Sequence, residues 1–333
     1  MSVHTKPKQY VKRVLLFLLI LVIAFSVRSM LASALFYGIF FPRQDASPAY
    51  TMRCSDIDAL AYPRRQIQFP SGGNMLTGYC YTCENPEALI VIASGFGESY
   101  ETHLPETKYF VDSGFDVFCF DCTGVGESEG SGTVGLSQPA ADLRNALDHI
   151  GSDPDLSDLP ILLYGFSAGG YASATCIDRK NVRAAVILSG FESPTLLMRE
   201  TARSYVSILA DIEYPFLTLQ NTLVFGSGAG ESASEKLLRA DIPIAVYEGA
   251  DDPTVPEAVR LSSYLSTGDD PDITLTILDK PPRSGHSGLW LTAEAADYRA
   301  SLTDTGIEPD ISAANELDID FMCEIVEFYQ KAL

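Results

Sequence analysis

Two pentapeptides place a serine between glycines in the spacing G-x-S-x-G: Gly165-Phe166-Ser167-Ala168-Gly169 and Gly126-Glu127-Ser128-Glu129-Gly130. A serine held in that spacing on a sharp strand-to-helix turn is a nucleophile for acyl transfer. Context separates the two. Ser167 follows an apolar run at 160–164 that reads as a strand, and it precedes Gly170-Tyr171-Ala172-Ser173-Ala174-Thr175, which opens a helix. Its flanking glycines are needed because a Cβ at either place would collide with neighbouring backbone. Ser128 lies in a Gly-rich loop between two glutamates, whose charges would oppose the oxyanion formed in acyl transfer. Ser167 is therefore the candidate nucleophile.

A serine nucleophile needs a base, and histidine suits that role near neutral pH. The chain has four histidines. His4 belongs to a basic N-terminal arm, His103 follows the third predicted strand, and His149 ends a predicted helix. His286 lies in Arg283-Ser284-Gly285-His286-Ser287-Gly288, a loop beyond the last strand. The chain order Ser, acid, His that accompanies a serine on such a turn leaves only His286; a solvated loop side chain is the plain alternative. The acid is expected after the strand at 243–248, where Asp251 and Asp252 compete. Its task is to fix the histidine tautomer and stabilise imidazolium. Two backbone N–H donors complete the chemistry: Ala168, and a residue of the loop Ser94-Gly95-Phe96-Gly97-Glu98-Ser99, with Phe96 the expected donor. An ordinary glycine turn is the competing reading of that loop.

The elements that must position these groups alternate. Strands are predicted at 66–69, 76–83, 88–93, 115–120, 160–164, 183–188, 243–248 and 273–278, with helices at 138–150, 170–178, 256–265 and 317–333. Several strands are apolar throughout, as in Leu89-Ile90-Val91-Ile92, a pattern that requires cover on both faces. The alternation predicts an α/β fold: a mostly parallel eight-stranded sheet flanked by helices. From 188 to 243 no strand is read, so a small helical lid at about 190–241 is expected after the sixth strand, over the carboxyl ends of the strands, where such sheets bind ligands.

Charge divides the 333 residues into two objects. Residues 1–43 carry Lys6, Lys8, Lys12, Arg13, Arg28 and Arg43 and no acid, while 17 basic and 44 acidic groups give the rest a net of −27. So acidic a body argues against nucleic acid, which is bound through clustered Lys and Arg. Residues 14–33 are long and apolar enough to span a bilayer if Arg28 snorkels to an interface. Residues 1–43 are thus expected to be an anchor and 44–333 the catalytic domain. The basic flank predicts a single pass at the cell membrane, with the N-terminus cytoplasmic and the domain extracytoplasmic. The rival is a secretory signal cut at Ala32-Ser33-Ala34. That cut would leave the apolar segment 35–41 as a new N-terminus, a segment better explained if it stays at the membrane surface. Seven cysteines include the pairs Cys80/Cys83 and Cys119/Cys122. Side chains three apart on a strand point to opposite faces, so burial rather than zinc is expected. Disulfides are open to an extracytoplasmic domain, with no connectivity readable. No HExxH motif, phosphate loop or dinucleotide fingerprint occurs, so no metal or cofactor is implied.

Four segments, 90–97, 120–130, 165–169 and 249–256, together with His286, resemble the α/β-hydrolase superfamily in its serine aminopeptidase-like and monoglyceride-lipase-like branch. The resemblance spans about residues 66–333 and implies the α/β-hydrolase fold. It implies that 120–130 is a structural loop after the fourth strand, and that the Gly-x-x-Asp-x-x-Val-Pro pattern makes Asp252 the triad acid. The branch usually has His-Gly in the oxyanion loop where this chain has Ser94-Gly95; backbone donation from Phe96 survives that change, but substrate preference transfers less well. Cleavage of an ester, thioester or amide through an acyl-serine intermediate is the implied activity, on a small-molecule acyl substrate, lipid or peptide. The alternatives are an acyltransferase with the same triad and a noncatalytic binding protein on a hydrolase scaffold. Glu192, Glu200 and Glu213 in the lid would suit a peptidase for free amino termini, but in so acidic a chain they discriminate nothing.

Overall fold

The computed structural model of the protein describes residues 6–45, 47–265, 272–302 and 308–333. Eight strands form one sheet: β1 (Arg64–Ser71), β2 (Asn74–Tyr81), β3 (Leu89–Ala93), β4 (Asp116–Phe120), β5 (Ile161–Phe166), β6 (Val182–Leu188), β7 (Ile244–Gly249) and β8 (Ile273–Leu278). Their order is β1-β2-β4-β3-β5-β6-β7-β8. β2 pairs antiparallel with both β1 and β4, and every other neighbouring pair is parallel. The expected eight-stranded, mostly parallel sheet is present.

Ten helices accompany it among the described residues: α1 (Lys6–Phe40), α2 (Leu104–Asp112), α3 (Gln138–Ile150), α4 (Ala168–Thr175), α5 (Pro194–Val206), α6 (Ile208–Phe225), α7 (Ala233–Leu237), α8 (Ala293–Ser301), α9 (Ile311–Ala314) and α10 (Ile319–Ala332). Alternate residues of one strand serve two cores. Leu89, Val91 and Ala93 pack with Leu143 and Ala146 of α3 and Ala172 of α4, while Ile90 and Ile92 pack with Phe110 of α2 and Ile325 and Tyr329 of α10. That two-sided burial is why the strand is apolar throughout. The cysteines follow the same rule. Cys80 and Cys122 pack into the first core, Cys119 and Cys83 against the second, and all seven are unbonded.

Two readings need correction. Residues 256–265 do not form a helix; two single 3₁₀ turns, Glu257–Val259 and Leu261–Ser263, flank an extended Arg260. The guanidinium of Arg260 donates to the carbonyls of Val255, Ala250 and Asp252 and, at 3.3 Å, of Gly249, and these bonds override the local helical pattern. Second, α2, α8 and the short α9 fill stretches for which no helix is predicted. The apolar segment 35–41 continues the first apolar run: α1 runs unbroken through Arg28, which pairs with Glu213 of α6. Apolar side chains of α1 from Tyr10 to Val27 are exposed, whereas Ser29, Ser33 and Tyr37, four apart and hence on one face, are buried. That face lies on α6, where Phe25 meets Phe216 edge-on and the Tyr37 hydroxyl donates to Asn221 Oδ1 at 3.0 Å.

Candidate active site

β5 ends at Phe166, and α4 begins at Ala168, leaving Ser167 alone to turn the chain. It does so at φ 54°, ψ −114°, a conformation that costs a non-glycine residue of order 1–3 kcal/mol. The strain is tolerated because the turn is held on both sides. The Ser167 amide donates to Leu188 O at 2.8 Å. A Cβ built on Gly169 would lie 1.9 Å from Ala93 O, so only glycine lets α4 approach the end of β3.

Ser167 Oγ lies 3.0 Å from His286 Nε2, and His286 Nδ1 lies 2.7 Å from Asp252 Oδ2. Asp252 is the aspartate brought to the histidine; the neighbouring Asp251 is exposed, and its amide donates to Ser284 O. The other Asp252 oxygen accepts the N–H groups of Thr254 and Val255 at 2.7 and 2.9 Å. Burial pushes the Asp252 carboxyl up, but the His286 ring and these two amides outweigh it and hold the group below its ordinary value. The acid and histidine loops meet at Gly249, where a Cβ would be 2.1 Å from Gly285 O. With Nδ1 donating to a carboxylate, Nε2 is the ring atom free to accept the serine proton.

Two groups that complete this frame are absent from the sequence reading. Arg260 ties four carbonyls of the acid loop together. Ser189, just past β6 at φ 48°, donates its hydroxyl to His286 O at 2.7 Å. A conspicuous arginine four residues beyond the loop's Val-Pro was the one available signal for the first; nothing local marks the second.

Ala168 is the first residue of α4, where amide N–H groups have no partner within the helix. Gly95, Phe96, Ser167, Ala168 and His286 border one cavity of about 980 Å³, so both expected donors share it with the serine. The loop carrying Phe96 is braced from inside. Glu98 Oε2 accepts the Gly95 N–H at 3.1 Å and lies 3.7 Å from His103 Nε2. His103 Nδ1 is 2.7 Å from Glu106 Oε1, and both side chains are essentially buried. Burial alone would push His103 down; the Glu106 carboxylate, then Glu98, raise it from 6.5 to about 9. Ser128, by contrast, spends its hydroxyl within its own loop, donating to Asp121 O and accepting from Thr77 N.

Sheet order, the strained turn and the loop partners together define a class: the chain has the α/β-hydrolase fold. Within it, residues 84–218 match the family described as Hydrolase_4, serine aminopeptidase, S33. The Escherichia coli K12 protein YfhR is 26% identical over 182 residues, 52% of this chain and 55% of YfhR, so the chain spans about half the length of the relatives it matches. The Pyrococcus furiosus esterase Pf2001 superposes with a TM-score of 0.57 at 15% identity, covering 87% of this chain and 98% of the esterase. The Pyrococcus horikoshii acylaminoacyl peptidase does so with 0.55 at 14% identity, over 82% of this chain and 42% of the peptidase. These two likenesses are of fold.

Proposed function

We propose that the protein is a serine hydrolase, held at a membrane by α1, that cleaves a carboxyl ester, thioester or amide through an acyl-serine. The observation that carries the reading is the unbroken chain Ser167 Oγ, His286 Nε2, His286 Nδ1, Asp252 Oδ2, with links of 3.0 and 2.7 Å, at the floor of a cavity.

His286 takes the hydroxyl proton as Ser167 Oγ attacks the carbonyl carbon, and Asp252 stabilises the imidazolium without taking that proton. The tetrahedral oxyanion is received by the N–H groups of Phe96 and Ala168. Collapse expels the alcohol, thiol or amine, which takes its proton from His286. Water, deprotonated by the same ring, then attacks the acyl-serine, and a second collapse releases the acid and restores the Ser167 hydroxyl. Anchoring is supported by the long apolar helix that begins the chain, apolar and exposed through Val27. Its basic N-terminal flank supports a cytoplasmic N-terminus and an extracytoplasmic domain. Retention rather than cleavage after Ala34 is supported by contacts that the cut would remove, those of Phe25, Arg28, Ser29 and Ser33 on the domain.

The test is labelling with a fluorophosphonate probe. The native chain is expected to label and Ser167→Ala to remain unlabelled; a folded native chain that does not react would refute the enzyme reading and favour a binding protein on the same scaffold.

A further inference from the structure

The cavity at Ser167 has a wall that the catalytic domain does not supply. Phe36 and Phe40 of α1 border it, facing Phe191, Leu197 and Met198. A second cavity of about 340 Å³ adjoins it, sharing Phe36, Met198, Ala202 and Val206. This one runs between α1 and the α5–α6 pair to Ala32, Arg28 and Glu213. The two together follow α1 from Phe40 back to Arg28, roughly 18 Å of helix at 1.5 Å per residue.

The lower end of that path meets the level of a bilayer. The apolar stretch Gln9–Phe40 has 32 residues, whereas about 20 span a hydrocarbon core. A span of about 20 residues that begins between Gln9 and Val14, with Lys12 and Arg13 snorkelling to the headgroups, ends between Arg28 and Ser33, and the surplus is the part of α1 that packs on the domain. The Arg28–Glu213 pair lies at this boundary. Beside it, the elbow at Ser207 between α5 and α6 presents unpartnered apolar side chains, with Tyr205 84% and Ile208 68% exposed and Leu209 also exposed. Contiguous exposed apolar surface of this kind marks contact with a membrane or partner, and its continuity with the span of α1 selects the membrane.

On the reading of Ser167 as nucleophile, we infer that the two cavities form a groove for the long acyl chain of a membrane lipid, with α1 as one wall. The ester carbonyl sits at Ser167, the alkyl tail runs back along α1 toward the bilayer, and the alcohol part occupies the side bordered by Glu98, Thr254 and Ser287. Apolar lining along the tail's path supplies the affinity, since each methylene moved from water into it is favourable. The helix that holds the enzyme at the membrane is thereby part of its substrate site.

The test uses the full chain in phosphatidylcholine vesicles, with p-nitrophenyl butyrate and p-nitrophenyl palmitate as substrates and fluorophosphonate labelling alongside. The native protein is expected to prefer palmitate in kcat/KM. Ala32→Trp on α1 and Ala202→Trp on α5, which fill the groove from opposite walls, should each lower the palmitate-to-butyrate ratio about tenfold or more, the scale on which apolar pockets discriminate chain length. A protein that labels and hydrolyses butyrate, but whose ratio neither substitution moves, would overturn the groove and leave the nucleophile standing. A folded protein that neither labels nor hydrolyses either ester removes the nucleophile, and the groove falls with it. The two substitutions guard each other, because a folding defect from Ala202→Trp is not expected of Ala32→Trp.

Discussion

Replacing His103 by glutamine tests whether a buried charge pair holds the loop that carries Phe96. In the native protein His103 carries its proton beside the carboxylate of Glu106, which is fully buried. A rise from 6.5 to about 9 corresponds to roughly 3 kcal/mol of folding free energy. The folded value is the higher one. The stabilisation is therefore complete below pH 6.5 and is lost as pH rises through 9, at about 1.4 kcal/mol per pH unit in between. Glutamine removes the cation and leaves Glu106 in the core, and breaking one side of a buried pair costs about 3–5 kcal/mol. At pH 7 the variant should be less stable by that amount, and the gap should close as pH approaches 10. The assay is urea unfolding of the full chain in detergent micelles, followed by the chain's single tryptophan. Trp290 suits this well, being 3% exposed with its ring centroid 5.6 Å from that of His103. A variant within about 1 kcal/mol of native at pH 7, or a gap that stays constant from pH 7 to 10, would refute the reasoning.

Two further substitutions separate neighbours that look alike in the sequence. Asp252→Asn should lower kcat/KM by about a thousand- to ten-thousandfold by fixing the wrong His286 tautomer, while Asp251→Asn, at an exposed carboxylate, should stay within about threefold, a ΔΔG‡ under 1 kcal/mol; steady-state ester hydrolysis reads both, and equal losses would reassign the acid. Arg260→Leu should lower kcat about 10- to 100-fold at little change in KM and cost about 3 kcal/mol of stability as the carbonyls of the acid loop lose a charged donor. Arg260→Lys should recover only part of either, since an ammonium lacks the planar fork; full recovery would argue against the clamp.

What could be read from residues alone tracks how local each constraint is. Ser167 was legible because strand, glycine, serine and helix follow one another without a gap, and His286 because chain order left no rival. Asp252 needed a family pattern, since nothing in Ala250-Asp251-Asp252-Pro253 says which carboxylate will face inward; the choice is made by the Thr254 and Val255 amides and the approach of the histidine loop. Strands were legible wherever both faces are covered, because the residues then have no polar alternate. The helix read at 256–265 fails for the opposite reason: its apolar spacing is real, but Arg260 bonds to a loop up to eleven residues earlier and straightens the backbone. His103 was passed over because chain order gave the base to His286, and the ring's burial between Glu98 and Glu106 is a product of the fold. Within the apolar residues 35–41, which of them pack inward was not legible: Tyr37 and Phe41 are buried against the domain, while Leu35, Ile39 and Phe40 are exposed.

The junction after α1 has a consequence for how a hydrolase anchored by that helix would search. Immediately beyond the helix, the Arg43 guanidinium donates to the carbonyls of Gly126, Ser128 and Gly130, and single β-bridges join Pro42 to Gly132 and Gln44 to Val125. No slack chain separates helix from domain, in contrast to the flexible tethers that let a domain sweep a volume around its anchor. With α1 in a bilayer, the serine is held at one height and one heading, and the search collapses from three dimensions to travel and spin in a plane. Reach is exchanged for aim. Lengthening the junction by a few glycines would give the reach back, and with it water-soluble esters should gain at the expense of those dissolved in the membrane.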